Sequence, residues 1–212
     1  MTAERRSALL AWAHERQALI IEDDYDVEYR FGREPVASLQ GLAPDRVVFV
    51  GTTSKTLAPA LRLAWMVPPT GLLDEVEQVL LVTGVTPPTL DQLALATFIG
   101  DAGLERHLRS MRRRYRVKRE ILVDALATYL PEARIGGTAA GLHLLAQLPD
   151  GADEPAVALR AREAGVGLHE LHRHCTARAP APPALLLGFA LPGEADLPAA
   201  VRLLARAVRA IP

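Results

Sequence analysis

Asp23, Asp24, Tyr25 and Asp26 follow the apolar run Ala18–Ile21, and Thr52, Thr53, Ser54 and Lys55 follow the apolar run Val47–Val50. Arg62 comes seven residues after Lys55, across a turn that contains Pro59. The lysine stands out, because 22 arginines accompany only two lysines, Lys55 and Lys118. A lysine amine becomes a nucleophile once it is desolvated or set beside another cation, and it condenses with an aldehyde to a Schiff base. A carboxylate bonded to a pyridine nitrogen keeps such a ring protonated and able to draw electrons from a carbanion. Hydroxyls and a guanidinium are the donors that hold a phosphate. An acid, a phenol, a lysine, hydroxyls and a guanidinium make one coherent set if the fold brings them together.

The elements that must do so are short strands. "ALII", residues 18–21, reads as a buried parallel strand that meets its C-terminal edge at the acids, and "RVVFVG", residues 46–51, repeats the pattern before the Lys55 turn. "LRLAWMVPP" offers a third strand, stopped by Pro68 and Pro69. Open α/β sheets bind ligands in the crevice outside the carboxyl ends of their strands. Two parallel neighbours would therefore put Asp23, Tyr25 and Lys55 in one crevice, with Arg62 turned back towards it. Around them, the spacing predicts an amphipathic helix over 3–16, helical segments over 71–82 and 88–100, and a long helix over 103–130. The long helix carries Leu104, Leu108, Met111 and Tyr115 on one face.

From "PEARIGG" onward the pattern changes. Strands over 141–148, 166–171 and 184–191 alternate with helices over 154–165 and 195–208, a second α/β layer. "TARAPAPP", Thr176–Pro183, reads as a surface loop. The expectation is an α/β chain: part of a large, mostly parallel domain over 1–100, then a connecting helix and a small α/β domain over 101–212. Three strands are fewer than the roughly five of an ordinary parallel sheet, so the chain reads as starting in the middle of a domain.

Bulk composition narrows the classes. A net charge of −1, from 24 basic and 25 acidic residues, provides no basic surface for nucleic acid. The run "RSMRRRYRVKRE", Arg109–Glu120, reads as the solvated face of a helix with acidic neighbours. Cys175 is the only cysteine, which excludes an intrachain disulfide and a cysteine metal cluster. The N-terminus lacks the apolar core of a signal peptide, and no apolar run approaches the roughly 20 residues of a membrane span. The expected location is cytoplasmic, with no membrane partner.

"IIEDDYDVEYRF", "VGTTSKTLAPALRLAWMVPP" and "LLLGFALP" closely resemble the pyridoxal-phosphate-dependent aminotransferases of fold type I. Within that group they are most similar to the aminotransferase-like domain of MocR-type regulators of the GntR family. The resemblance runs essentially end to end. It implies pyridoxal 5'-phosphate as cofactor, Lys55 as the Schiff-base lysine, and Asp23 as the acid on the pyridine nitrogen, with Asp24 its nearest rival. It implies Tyr25 on the cofactor's 3-oxygen and Thr52, Ser54 and Arg62 on the phosphate. Arg173, in "HELHRHC", matches the arginine that pairs with a substrate carboxylate. His172 stands where a serine is common, and Ala64 where a glycine is usual; His143 fits a strand pattern rather than a catalytic one. The family also implies an amino acid or amine as substrate or effector, a homodimer, and DNA contact only through a winged helix-turn-helix upstream. Three roles follow: transamination between an amino acid and a 2-oxo acid, ligand sensing for a transcription regulator, or an inactive truncated remnant.

Overall fold

The computed structural model describes residues 1–26, 28–31, 37–136, 140–176 and 181–211. These divide into two compact units, one made of residues 1–28 and 32–109, the other of residues 29–31 and 110–212. Of the loop expected over 176–183, residues 177–180 lie outside the described residues.

The first unit opens with α1 (Ala3–Glu15), whose N-terminus is capped by the Thr2 hydroxyl accepting from the Arg5 amide. Strand β1 (Ile20–Asp23) follows, then the one-turn α2 (Leu39–Leu42) and strand β2 (Val47–Thr52). A 3-10 turn (Pro59–Leu61) leads into β3 (Ala64–Val67). β1 and β2 are parallel, with Asp23 opposite Val50; β2 and β3 are antiparallel, with Thr52 opposite Ala64. Helices α3 (Leu73–Thr83) and α4 (Thr89–Gly100) complete this unit together with the first residues of α5 (Gly103–Tyr129), which continues into the second unit.

β1 starts two residues later than its apolar run predicts and is not buried on both faces. Ile20 packs with Leu9 and Leu10 against Leu39, Ala43 and Val47, whereas Ile21, on the opposite face, is 72% exposed. Side chains alternate across a strand, and the described residues cover only one side of this one. Its last two residues, the acids Glu22 and Asp23, divide in the same way. The Glu22 carboxylate accepts from the Leu39 and Gln40 amides at 2.8 and 3.0 Å and so caps α2, a helix the sequence reading did not anticipate. Asp23 is left exposed at the strand end. On β3, Trp65, Met66 and Val67 are exposed, as are Leu81, Val82 and Leu90 of α3 and α4.

The second unit contains a four-stranded antiparallel sheet in the order β4 (Arg134–Gly136), β5 (His143–Gln147), β7 (Ala184–Gly188), β6 (His169–Glu170). β4 had not been expected, and β6 is two residues long where the sequence reading expects six. The chain leaves the ladder after Glu170 for a 3-10 turn, Leu171–His174. Helices α6 (Glu154–Glu163) and α7 (Asp196–Arg209) supply Val157, Ala161, Leu197, Val201 and Leu204 to one core with Leu122 and Leu126 of α5 and Leu144 and Leu185 of the sheet. Leu197, Val201 and Leu204 recur every three or four residues and face that core, while Arg202, Arg206 and Arg209 face solvent.

Two of the buried charges among the described residues, Glu154 and Lys118, tie irregular segments of this unit to its helices. Glu154, in the first turn of α6, accepts from the backbone amides of His172 (2.9 Å) and Ala184 (2.7 Å) and lies 2.8 Å from Nδ1 of the His172 ring. It thereby ties the 3-10 turn to the start of β7. Lys118 corrects the reading of the basic run as uniformly solvated. Arg109, Arg113, Arg114 and Arg116 are exposed, but Lys118 is 3% exposed and lies one turn from the core residue Leu122. Its Nζ donates to the carbonyls of Ala190 (2.7 Å) and Pro192 (2.6 Å). Burial, followed by the neighbouring Arg114, pushes its pKa below the ordinary lysine value, and Glu194 opposes the shift.

Glu154→Ala leaves the His172 and Ala184 amides without their acceptor. We expect a loss of about 2–4 kcal/mol in urea unfolding of the chain; an unchanged midpoint would contradict the role of Glu154 as the tie of this unit.

Candidate active site

The strand register decides the site. β1 and β2 run parallel, so Asp23 and Thr52 end at the same edge; β3 runs back from it, so Arg62 and Leu63 enter from there too. The Asp24 amide extends the ladder to the Val50 carbonyl at 3.0 Å. Asp23, Asp24, Tyr25, Thr52, Ser54, Lys55 and Arg62 are all gathered at this one edge, as the spacing predicts. Gly51 is needed just behind it: a Cβ there would clash with the ring of Trp65, its cross-strand partner.

The Leu63 carbonyl holds the turn that carries the lysine. It accepts from the Thr53 amide (3.0 Å) and the Thr53 hydroxyl (3.1 Å), and the Thr52 hydroxyl is 3.2 Å away. The Thr52 hydroxyl also lies 2.9 Å from Ser54 Oγ and accepts from the Ser54 amide at 3.1 Å. Residues 53–57 close one helical turn, with the Leu57 amide donating to the Thr53 carbonyl at 2.8 Å and the Thr56 hydroxyl to the same carbonyl at 3.3 Å. Thr53 and Thr56 are buried by this arrangement and Lys55 is exposed on the turn. Arg62 follows at φ 52°, ψ 28°, a left-handed conformation that costs a non-glycine residue energy and that surrounding contacts must hold. Here they are the Arg62 amide on the Pro59 carbonyl, and the Thr53 amide and hydroxyl on the carbonyl of the next residue, Leu63.

Charge is divided along the edge, with acids after β1 and the cations Lys55 and Arg62 after β2 and before β3. Tyr25 is 41% exposed. Partial burial, and then the carboxylates of Asp26, Asp23 and Asp24, raise its phenol above the ordinary 10.0. The phenol is therefore a neutral hydrogen-bond donor and acceptor at neutral pH.

Arg173 belongs to the second unit, on the 3-10 turn Leu171–His174. Its guanidinium is exposed and stands 3.9 Å from Glu170 Oε2, an oxygen that already receives Arg162 at 2.6 Å. That Arg162 bond, more than the charge of Arg173, holds the Glu170 carboxyl below the usual carboxylate range. The turn is secured by Glu154 through His172, a partnership invisible in the sequence because 18 residues separate the two. His107 is a further residue the sequence reading missed. It stands on α5, with Nε2 2.8 Å from the Thr56 carbonyl, and nothing in its spacing marks it out.

No family profile matches the chain. Over 199 residues, 93% of its length, it is 38% identical to the uncharacterized HTH-type transcriptional regulator YhdI of Bacillus subtilis (strain 168), covering 42% of that protein. It is 36% identical over 192 residues to the probable rhizopine catabolism regulatory protein MocR of Rhizobium meliloti, 90% of this chain and 39% of that one. The chain is homologous to MocR-type regulators and to fold-type-I aminotransferases. On the aminotransferase side, the crystal structure of Pyrococcus horikoshii kynurenine aminotransferase with PMP superposes at a TM-score of 0.89 and 27% identity, over 99% of this chain and 52% of that one. The chain thus spans about half the length, or less, of the relatives it matches. No helix among the described residues is long and apolar enough to cross a membrane, and no described group of histidines, cysteines and acids has the geometry of a metal site.

The raised phenol is directly testable. An ultraviolet phenolate titration, taken as the difference between the chain and Tyr25→Phe, should show Tyr25 ionising above 10.0, and Asp26→Asn should bring that transition down. A Tyr25 transition at or below the ordinary value would contradict the electrostatics described.

Proposed function

We propose that this chain is the pyridoxal-phosphate-holding part of an aminotransferase-like domain, with Lys55 as the residue that bonds the cofactor. The observation that carries this reading is the convergence of Asp23, Tyr25, Thr52, Ser54, Lys55 and Arg62 at one sheet edge through the register of three strands. The donor set fits the group. Asp23, exposed at the end of β1, is the acid for the pyridine nitrogen, and the neutral Tyr25 phenol supplies a hydrogen bond to the ring's 3-oxygen. When the Thr52 hydroxyl donates to Ser54, the Ser54 proton is left for an oxyanion, and Arg62 adds the guanidinium that a phosphate favours. When bound, the cofactor supplies an electron sink for amino-acid chemistry. The residues' part is to hold and orient it, and the Lys55 amine carries a proton to and from the substrate carbon. Arg173 is proposed as the partner of a substrate or effector carboxylate.

The relatives named as transcription regulators favour a second reading of the same site. There, amino-acid or amine binding is a signal and turnover is slow or absent. A stoichiometric adduct with no transfer of an amino group to a 2-oxo acid would select the sensor; transfer would select the transaminase.

The experiment is to add pyridoxal phosphate to the chain, record the visible band, reduce with borohydride and map the labelled peptide. A single adduct on Lys55, absent in Lys55→Ala, is expected. Buried Lys118 should stay unlabelled in the folded chain. Equal labelling of Lys118 and the N-terminus, or no band, would overturn the proposal. Light scattering on the same sample reads self-association, a homodimer giving a mass twice 22.9 kDa.

A further inference from the structure

We infer that His107 is a positioning residue for the Lys55 turn, an inference that rests on Lys55 being the reactive amine. Three observations lead there. The His107 ring reaches from α5 to the carbonyl of Thr56, the residue directly after Lys55, at 2.8 Å. A carbonyl only accepts, so Nε2 carries a proton and donates. Thr56 is buried, and its hydroxyl and the Leu57 amide both donate to the Thr53 carbonyl. His107 therefore fastens the last peptide of the turn from outside, while Leu63 fastens its start.

Packing does only part of this work. A cavity of about 240 Å³ lies behind the turn, lined by Thr53, Thr56, Trp65, Leu95, Leu104 and Leu108 among others. Leu104 and Leu108 flank His107 on its helix. Close-packed side chains normally fix a loop against a helix; here a cavity interrupts that packing, and the His107 bond spans from the helix to the turn. Without it the turn is free to settle into the cavity, which moves the Lys55 amine relative to Asp23 and Arg62. Displacements of that order are costly for a reacting group.

The test uses the whole chain with His107→Ala and His107→Gln. Loss of one hydrogen bond should speed hydrogen exchange at the Leu57 amide by about tenfold in the alanine variant. Borohydride-trapped labelling of Lys55 by pyridoxal phosphate should slow by about tenfold as the amine is displaced. Glutamine, whose side-chain N–H can donate to the same carbonyl, should restore both. Unchanged Leu57 exchange in the alanine variant, or a glutamine variant as impaired as alanine, would overturn the inference. Should the alanine variant not fold, histidine NMR of the unaltered chain decides: a neutral ring protonated on Nδ1 alone contradicts the tie, and a proton on Nε2 supports it. Leu57 exchange and the His107 tautomer are read without cofactor. If both behave as expected and the unaltered chain takes no label at Lys55, the tie stands and the proposed function falls.

Discussion

Parallel pairing of Ile20–Asp23 with Val47–Thr52, and the antiparallel return of Ala64–Val67, determine where every candidate residue of the first unit sits. A parallel pair ends both of its strands at one edge, and an antiparallel third strand begins there, so residues up to forty positions apart in sequence share one rim. The Leu63 carbonyl converts that register into a fixed turn. It gathers the Thr53 amide and hydroxyl, with the Thr52 hydroxyl in reach, and so joins the lysine turn to the residue after Arg62. One accepting oxygen serving several donors is economical, and it explains why a left-handed arginine is tolerated next to it.

The second unit depends on a different kind of interaction, buried charge with complete hydrogen bonding. Glu154 satisfies two backbone amides that would otherwise lie unpaired at the entry to β7 and in the 3-10 turn. Lys118 satisfies two carbonyls after β7. Such groups are costly to bury and costlier to remove singly. They hold in place irregular segments that have too few ladder hydrogen bonds of their own, which is why the two-residue β6 and the turn carrying Arg173 are defined at all.

Much of the rim was legible in the sequence, for a physical reason. Apolar runs ending in polar clusters mark strands and their C-terminal edges, and that rule placed Asp23 and Lys55 correctly without any coordinates. The same rule put Thr52 and Ser54 at that edge, with Arg62 turned back towards it; the resemblance added only the role expected of each. What was not legible depended on contacts distant in sequence. Glu22 stands directly before Asp23 and Asp24 in the sequence, yet it caps α2 seventeen residues away. Lys118 looked like part of a solvated basic run, yet its carbonyl partners are more than seventy residues away. "VGLHEL" had the alternation of a strand, but Glu154 draws its end into a turn. His107 carries no sequence signal because its partner is a backbone carbonyl, which any residue could provide.

The proposed cofactor site turns on one atom, the Lys55 amine. With only two lysines in the chain, isotope labelling of lysine side chains gives NMR signals that two single substitutions assign. The decisive measurement is that spectrum during a titration with pyridoxal phosphate. The Lys55 signal should be replaced at one equivalent while that of Lys118, enclosed by the Ala190 and Pro192 carbonyls, should not move. A spectrum in which Lys55 is unaffected, or in which both lysines respond alike, would contradict the claim that this rim is a cofactor site.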